Sequence, residues 1–400
     1  MLFGFVAVLR LAGGQAGAEE NGTLWNLSEL GEPSSVEIAD QFDTPACRAV
    51  FFAGEPWQGK PTKVFAYYGF PEGASRNAPV PGVVCVHGGG GTAFAEWVQI
   101  WNKQGFAAIV LDTNGAVPES INENPDQFRH KWAGPPRYGF DQSAWPPCDQ
   151  WPYHAVAAIV RAHSLLRSFP EVDPAKVGIT GISWGGYLTC LAAGVDPRFK
   201  FAIPVYGCGF LDQGSTWTEA IHQYGRDRWV GWWDPSSYLA RADLATLWLN
   251  GTNDPHYSMA LFQKTYRLPR GPRNLSIRVR MDHGQGSGWS PPEIYAFAKA
   301  AIGTGKPLVV IEEQGRDEDV AWVNYRTSNG ERVVAAELNY TTDAGGWTER
   351  EWNTIPARLE EAEFRAEVEL PAQTTVYYFN LLDDRDLTIS SEHVETISGN

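Results

Sequence analysis

A serine occupies the centre of the pattern Gly-x-Ser-x-Gly at residues 181–185. The β-branched run at residues 176–180 predicts a strand before it, and residues 186–193 predict a helix after it. A serine on such a strand-to-helix turn projects its hydroxyl out of the sheet, and flanking glycines let neighbouring backbone pass close by. This context favours a nucleophile over a chance Gly-Ser turn, so we predict that Ser183 performs nucleophilic catalysis.

A serine hydroxyl reacts only when a base takes its proton and a third group orients that base. Asp254 follows an apolar run at residues 244–249, and His283 follows an alternating run at residues 275–281. Both runs predict strands, and open α/β sheets carry their sites just beyond the carboxyl ends of strands. We therefore predict that Asp254 is the orienting acid and that His283 is the base.

Two neighbouring residues are competing candidates for these roles. His256 also follows Asp254, but from the start of the next helix it would have to turn back on its own loop. Asp282 adjoins His283 and should point away from it. His283 lies after a separate strand and can meet both partners, so we prefer it to His256.

Four consecutive glycines at residues 88–91 follow a strand-like run and His87. Glycines let backbone N–H groups approach a ligand oxygen closely. The expected oxyanion hole therefore combines the N–H groups of Gly89 and Gly90 with that of Trp184, the residue after the nucleophile. No Lys-Ser/Thr pair follows the glycines, which argues against a phosphate loop, and we interpret His87 as structural.

The elements that must position these residues alternate between strand and helix patterns. This alternation predicts an α/β fold with a doubly wound, mostly parallel sheet and helices on both faces. The expected strands are residues 80–86, 106–111, 176–180, 201–206, 244–249 and 275–281, and the expected helices are near 93–104, 151–168, 186–193, 257–268 and 291–302. Antiparallel strands are expected within residues 46–71, after a loosely ordered lead-in at 19–45.

Two long insertions, residues 113–150 and 208–243, interrupt this alternation after strand ends, so they should overhang the serine. Both are rich in aromatic residues, whose ring faces suit sugar rings. We predict a substrate-binding rim that includes Trp132, Trp145, Trp232 and Trp233. A packed lid without a ligand role is the equal alternative.

The pattern changes again after residue 305. Short strand-like runs near residues 320–325, 332–340, 362–369 and 374–380 predict a small antiparallel β-sandwich of immunoglobulin or fibronectin type. We therefore expect a catalytic domain at residues 46–305 and an accessory domain at residues 306–400. A stabilising appendage is the preferred role of the accessory domain, with carbohydrate or partner binding as the alternative.

Composition limits the functions that the chain can have. Its 400 residues are 43% hydrophobic, and the formal charge of −15 without a basic stripe argues against nucleic-acid binding. The apolar residues 1–9, with Ala-Gly-Ala at residues 16–18, predict a signal peptide over residues 1–18 and hence a periplasmic or secreted protein. No later run is long enough to span a bilayer.

Five cysteines show no metal-ligand spacing. Cys148 and Cys208 lie in the two insertions and could pair in an exported protein, although the odd number leaves one thiol unpaired in any case. We expect no metal and no cofactor. The oligomeric state is left open.

The chain resembles an α/β-hydrolase of the branch that holds dienelactone hydrolases, acetylxylan esterases and prolyl oligopeptidases. The resemblance covers about residues 45–303 and is carried by residues 87–94, 181–187, 233–239 and 250–256. The chain order Ser183, Asp254, His283 is also that of this superfamily. Peptidases of the branch usually carry a long N-terminal β-propeller, and the short segment before the fold here favours an esterase.

The resemblance implies a serine carboxylic-ester hydrolase that forms an acyl-enzyme and needs no cofactor. Its expected substrate is a small-molecule or oligosaccharide ester, such as acetylated xylan fragments. The first alternative is a serine exopeptidase. The second is a non-catalytic carbohydrate-binding protein, which would require the three predicted catalytic residues to be misassembled.

Overall fold

A nine-stranded mixed sheet forms the centre of the structure, a computed structural model that describes residues 24–118, 125–328 and 330–396. Its strands are β1 (Val36–Ile38), β2 (Arg48–Ala53), β3 (Lys63–Gly69), β4 (Val80–Val86), β5 (Ala107–Leu111), β6 (Val172–Ile182), β7 (Phe201–Val205), β8 (Ala245–Gly251) and β9 (Arg273–Arg278). They lie in the order β1-β2-β3-β5-β4-β6-β7-β8-β9. The six strands from β5 to β9 along this order run parallel, whereas β1, β2 and β3 pair antiparallel.

The predicted doubly wound fold is thereby confirmed, and helices cover both faces of the sheet. The helices are α1 (Leu27–Leu30), α2 (Ala95–Lys103), α3 (Trp151–Ser168), α4 (Trp184–Val195), α5 (Thr218–Trp233), α6 (Met259–Tyr266), α7 (Gln285–Trp289) and α8 (Pro292–Ala301). Short 3₁₀ turns occur at Asp40–Phe42, Pro125–Phe128, Phe140–Gln142, Pro147–Asp149, Pro235–Ser237, Leu239–Arg241, Trp347–Glu349 and Glu361–Glu363. Helices α3 and α4 pack together on β6, while α2 and α8 meet through the rings of Trp101 and Tyr295, 4.9 Å apart.

The parallel strands are almost wholly apolar because both of their faces are covered. Every residue of β5 and of β7 is buried. The buried part of β6 runs from Val177 to Ile182 and ends directly before Ser183. Ser183 therefore follows directly after a fully buried stretch of strand.

Two antiparallel sheets follow the nine-stranded sheet in the chain. Their strands are β10 (Val310–Asp317), β11 (Val320–Arg326), β12 (Val333–Thr341), β13 (Asn353–Pro356), β14 (Arg358–Glu360), β15 (Arg365–Glu369), β16 (Val376–Asp383), β17 (Thr388–Ser390) and β18 (Val394–Glu395). One sheet has the order β10-β11-β15-β14, and the other has the order β13-β12-β16-β17, with β18 also on β16. The antiparallel character matches the expectation, whereas β10, β13, β14, β17 and β18 were not predicted.

These C-terminal sheets pack on the strand that precedes His283. The N–H of Ile277 in β9 donates to Ser390 Oγ at 2.7 Å, and Asn380 Nδ2 donates to the Ile277 carbonyl at 3.2 Å. Buried Glu293 on α8 accepts both a bond from Arg278 and the N–H of Thr388. Strand β9 thus pairs with β8 and also bonds to the C-terminal sheets.

Two segments are more ordered than the sequence suggested. The lead-in contributes β1 and α1, and buried Trp25 donates its indole N–H to the Tyr153 carbonyl at 2.9 Å. The insertion at residues 208–243 contains helix α5, which is kinked at Gly225, where φ is 109°. Neither segment has a periodic apolar face, since α5 buries only Ile221, Trp229 and Trp233.

The predicted signal peptide at residues 1–18 lies outside the described residues. Within the described part of the chain, no helix has the length and apolar character needed to cross a bilayer.

Candidate active site

Ser183 stands on a tight turn between β6 and α4. Its φ of 59° and ψ of −119° form a conformation that non-glycine residues rarely adopt, and its N–H donates to the Val205 carbonyl at 2.9 Å. A Cβ on Gly185 would lie 1.9 Å from the Val86 carbonyl oxygen, so only glycine allows α4 to start this close to β4. The turn therefore holds the serine in a strained conformation at the end of the sheet.

The three residues predicted to act together are brought together. His283 Nε2 lies 2.8 Å from Ser183 Oγ, and His283 Nδ1 lies 2.6 Å from Asp254 Oδ2. A carboxylate only accepts, so the proton of neutral His283 resides on Nδ1 and its Nε2 can take the serine proton.

Asp254 is almost fully buried, with 2% of its surface exposed. Its other oxygen, Oδ1, accepts the N–H groups of His256 and Tyr257 at 2.9 and 2.7 Å. These bonds stabilise a buried carboxylate and fix its direction toward His283. The acid is thus oriented by the loop that follows β8.

Tyr206 directly follows β7 and supports the histidine, a contact that was not anticipated. Its ring lies 4.7 Å from the ring of His283, and its hydroxyl donates to the Asp282 carbonyl at 2.8 Å. Burial raises the pKa of Tyr206, which keeps this hydroxyl protonated. Tyr206 is the last residue of the strand expected at residues 201–206, but nothing in its spacing indicates this contact.

The competing histidines have other partners. His256 Nδ1 lies 2.9 Å from Thr216 Oγ1, although the His256 ring is only 4.8 Å from that of His283. His87 is fully buried, accepts the N–H of Thr113 on Nε2 at 3.0 Å and bonds the Gly88 carbonyl through Nδ1 at 2.7 Å. His87 thus fixes the start of the glycine loop.

The glycine loop passes directly beside the serine. A Cβ on Gly88 would lie 3.2 Å from Ser183 Cβ, and a Cβ on Gly89 would lie 2.7 Å from Trp184 Cδ1. Trp184 is the first residue of α4, so its N–H has no partner within the helix. The N–H groups of Gly89, Gly90 and Trp184 remain the predicted oxyanion donors.

Two side chains from the first insertion hold this loop, and the sequence did not reveal them. Arg137 Nη1 donates to the Gly89 carbonyl at 2.5 Å, and buried Asn114 donates to the carbonyls of Gly89 and Gly91 at 3.2 Å each. In a trans peptide the carbonyl and the following N–H point in opposite directions. Fixing the Gly89 carbonyl therefore also fixes the direction of the Gly90 N–H.

Replacing Arg137 by alanine is expected to lower kcat by about 10- to 100-fold with a smaller change in KM. The reason is that the Gly90 N–H, which Arg137 orients, stabilises mainly the transition state. Steady-state kinetics on p-nitrophenyl acetate measure both constants, and Arg76→Ala, at an exposed arginine between β3 and β4, is the matched control. An unchanged kcat in folded Arg137→Ala protein would show that Arg137 does not position the loop.

The predicted tryptophan rim needs correction. Trp233 is 1% exposed, and its indole N–H donates to Gln150 Oε1 at 2.8 Å, so it has no free face and its predicted substrate role is wrong. Trp232 and Trp145 are half-buried and lie 6.1 and 6.5 Å from the rings of Trp233 and Trp57. A substrate role for these two remains a prediction.

Trp132 packs beside Phe51, at 5.5 Å, and beneath the ammonium group of Lys63. Its substrate role also remains a prediction. Two other rings contact Trp184, the residue that follows the serine: Trp217 and Tyr138 are 4.7 and 5.1 Å from its ring. Both come from the predicted insertions, but composition alone cannot rank the aromatic residues within them.

The cysteines are free thiols, with Cys148 exposed and Cys208 buried, so the considered pair is not formed. Burial raises the pKa of the Cys208 thiol well above its usual range. Within the described ranges, no group of three or more His, Cys, Asp or Glu side chains is arranged to hold a metal.

Comparison with known proteins agrees with this architecture. The family model of acetyl xylan esterase (AXE1) matches residues 22–213. The acetyl esterase Axe7A of Xylanibacter ruminicola is 30% identical over 135 residues, which cover 33% of this chain and 30% of that protein. This chain therefore matches less than a third of that relative's length.

One solved structure supports the fold, and a second has a slightly lower TM-score. An acetyl xylan esterase from Paenibacillus sp. R4 is 21% identical, with a TM-score of 0.51 over 64% of this chain and 87% of the other. Acetyl xylan esterase 1 from Thermoanaerobacterium sp. JW/SL YS485 is 14% identical, with a TM-score of 0.49 over 68% and 90%. The chain has the α/β-hydrolase fold, and over residues 22–213 it matches the acetyl xylan esterase family.

Proposed function

We propose that this protein is a serine carboxylic-ester hydrolase that removes acetyl groups from carbohydrate. The observation that carries the proposal is the continuous hydrogen-bonded series from Asp254 through His283 to Ser183, with separations of 2.6 and 2.8 Å. The series ends on a strained turn beside a glycine loop, which is the arrangement that acyl transfer requires.

Acylation begins when Ser183 Oγ attacks the ester carbonyl carbon and passes its proton to His283 Nε2. The N–H groups of the glycine loop and of Trp184 stabilise the negative charge that develops on the carbonyl oxygen. Asp254 stabilises the imidazolium without taking its proton. His283 then protonates the alcohol oxygen as the bond to the acyl carbon breaks, and the alcohol leaves.

Deacylation repeats these steps with water. His283 takes a proton from the water as it attacks the acyl carbon, and the same N–H groups again stabilise the oxyanion. The bond to Ser183 Oγ breaks, the serine recovers its proton from His283, and the acid is released. Water is the only co-substrate that these steps consume.

The family match and the name of the relative Axe7A support acetyl as the acyl group. A small-molecule or oligosaccharide ester is the substrate class, and the aromatic rings of Trp217 and Tyr138 beside Trp184 suit a sugar. We further propose a periplasmic or secreted location, where acetylated polysaccharide fragments are accessible. Fractionation of the producing cells would test this location.

A substrate panel tests the function. Acetate release from acetylated xylooligosaccharides should exceed hydrolysis of matched butyryl, feruloyl and methyl esters. Peptide p-nitroanilides should be poor substrates, because the proposed site binds an acetyl ester of a sugar and not a peptide. Preferred cleavage of the anilides would establish the exopeptidase alternative. Absence of all hydrolysis and of labelling by a fluorophosphonate would support the non-catalytic alternative.

A further inference from the structure

A second histidine lies directly beside the proposed base. The ring of His256 is 4.8 Å from that of His283 at an interplanar angle of 82°, and the ring of Trp217 is stacked on His256 at 5.4 Å. The proposed mechanism gives the side chain of His256 no task. Its side-chain contacts nevertheless define its hydrogen-bonding character.

The hydroxyl of Thr216 determines which nitrogen of His256 carries the proton. Thr216 Oγ1 lies 3.0 Å from the Pro255 carbonyl, which can only accept, and 2.9 Å from His256 Nδ1. A hydroxyl has one proton, so both bonds form only when Thr216 donates to Pro255 and accepts from His256 Nδ1–H. Neutral His256 then presents Nε2 as a bare acceptor.

This acceptor is available to a ligand. Within the described part of the chain, no group forms a hydrogen bond with His256 Nε2, and the atom is not among the buried polar atoms without partners. It is therefore open to solvent. Burial, together with nearby His283, lowers the pKa of His256, which keeps its ring neutral and Nε2 accepting.

The position of His256 relates it to one part of the substrate. His283 protonates the departing alcohol, so that alcohol must lie at His283 Nε2, whereas the acyl oxygen lies toward Trp184. His256 adjoins His283, and Trp217 spans the distance between Trp184 and His256, with ring separations of 4.7 and 5.4 Å. An alcohol seated against His283 therefore has an acceptor and an aromatic ring beside it.

We propose that His256 Nε2 accepts a hydrogen bond from a free hydroxyl next to the ester oxygen, so that the site selects esters of vicinal diols. Trp217 supplies the apolar wall against which the carbon skeleton of the alcohol packs. This inference rests on the proposed function and deepens it, because partly acetylated sugars carry such hydroxyls and simple alkyl esters do not.

The test compares two small esters that differ only in this hydroxyl. One is the monoacetate of a vicinal trans-cyclohexanediol, which keeps one free hydroxyl beside the ester, and the other is cyclohexyl acetate. The ratio of their kcat/KM values in the wild-type protein should favour the diol ester by about tenfold or more, the effect of leaving a polar site group unpaired. In His256→Phe the ratio should approach one, since phenylalanine keeps the ring and removes the acceptor.

Thr216 provides an independent measurement that leaves the histidine in place. Thr216→Val removes the group that holds the Nδ1 proton and should lower the ratio, and Thr216→Ser should restore it. If His256 had only a structural role, its replacement would lower kcat/KM equally for both esters and leave the ratio unchanged.

A wild-type ratio near one, or a ratio unchanged in His256→Phe and Thr216→Val, would overturn the inference while the esterase proposal stood. If neither these two esters nor p-nitrophenyl acetate were hydrolysed by the wild-type protein, the proposed function itself would fail and the inference with it.

Discussion

Replacing Ser183 by alanine is expected to reduce ester turnover by on the order of 10⁴- to 10⁶-fold, because the nucleophile and its base act as one unit. Kinetics on p-nitrophenyl acetate measure the loss, and circular dichroism and thermal unfolding show whether the fold persists. Alanine at this position removes only a hydroxyl and retains the positive φ of the turn.

Ser28→Ala, at the exposed Ser28 of α1, is the matched control and should retain full turnover. Near-normal activity in well-folded Ser183→Ala protein would remove Ser183 from the mechanism. The same result would leave the strained turn without a function.

Replacing His283 by alanine should be as severe as Ser183→Ala, since His283 lies 2.8 Å from the serine oxygen and is the group that takes its proton. The double variant should be little worse than either single variant, because each change already disables the same step. Asp254→Asn should cost somewhat less, on the order of 10⁴-fold, because the imidazole is retained and only its orienting carboxylate is lost.

His256→Ala is the comparison that separates the two histidines. Its effect on turnover should fall far short of that of His283→Ala, because its Nδ1 bonds Thr216 and not Asp254. An inactive His256→Ala protein beside an active His283→Ala protein would reverse the assignment of the base.

The serine, the acid and the base could be predicted because their signals are local. Ser183 is marked by its own flanking glycines, and Asp254 and His283 each follow a recognisable strand. The parallel order of the strands then brings separate loops to one edge of the sheet. Each residue could thus be selected without knowledge of its contacts.

The supporting residues could not be predicted because their roles exist only across the fold. Arg137 and Asn114 reach the carbonyl of Gly89 from positions 48 and 25 residues away, and Tyr206 reaches Asp282 across 76 residues. No spacing rule links such positions. Their residue types, an arginine, an asparagine and a tyrosine, also occur throughout the surface and core.

Helix α5 and the lead-in segment illustrate a second reason why parts of the fold could not be predicted from the sequence. Their contacts depend on single aromatic anchors, such as Trp25 against Tyr153, rather than on a repeating apolar face. Periodicity detects a face, but it cannot detect one ring that packs into a distant pocket. The same limit explains why Trp233 was assigned to a substrate rim although it is buried in the core.

The C-terminal sheets were only partly predicted because several of their strands are short or exposed at an edge. Strand β10 carries two adjacent exposed glutamates, Glu312 and Glu313, and its register with β11 shifts at this point. A bulge of this kind breaks the alternation on which strand prediction depends. The division of the chain at residue 305 remains a prediction.

The central claim, that Ser183 forms an acyl-enzyme, is tested most directly by trapping that intermediate. The protein is mixed with p-nitrophenyl acetate, quenched in acid within the first turnovers, digested and analysed by mass spectrometry. Our account predicts one added acetyl group on the peptide that contains Ser183, and none on that peptide in Ser183→Ala. Turnover with no acetyl group at Ser183, or with the acetyl group on another side chain, would contradict it.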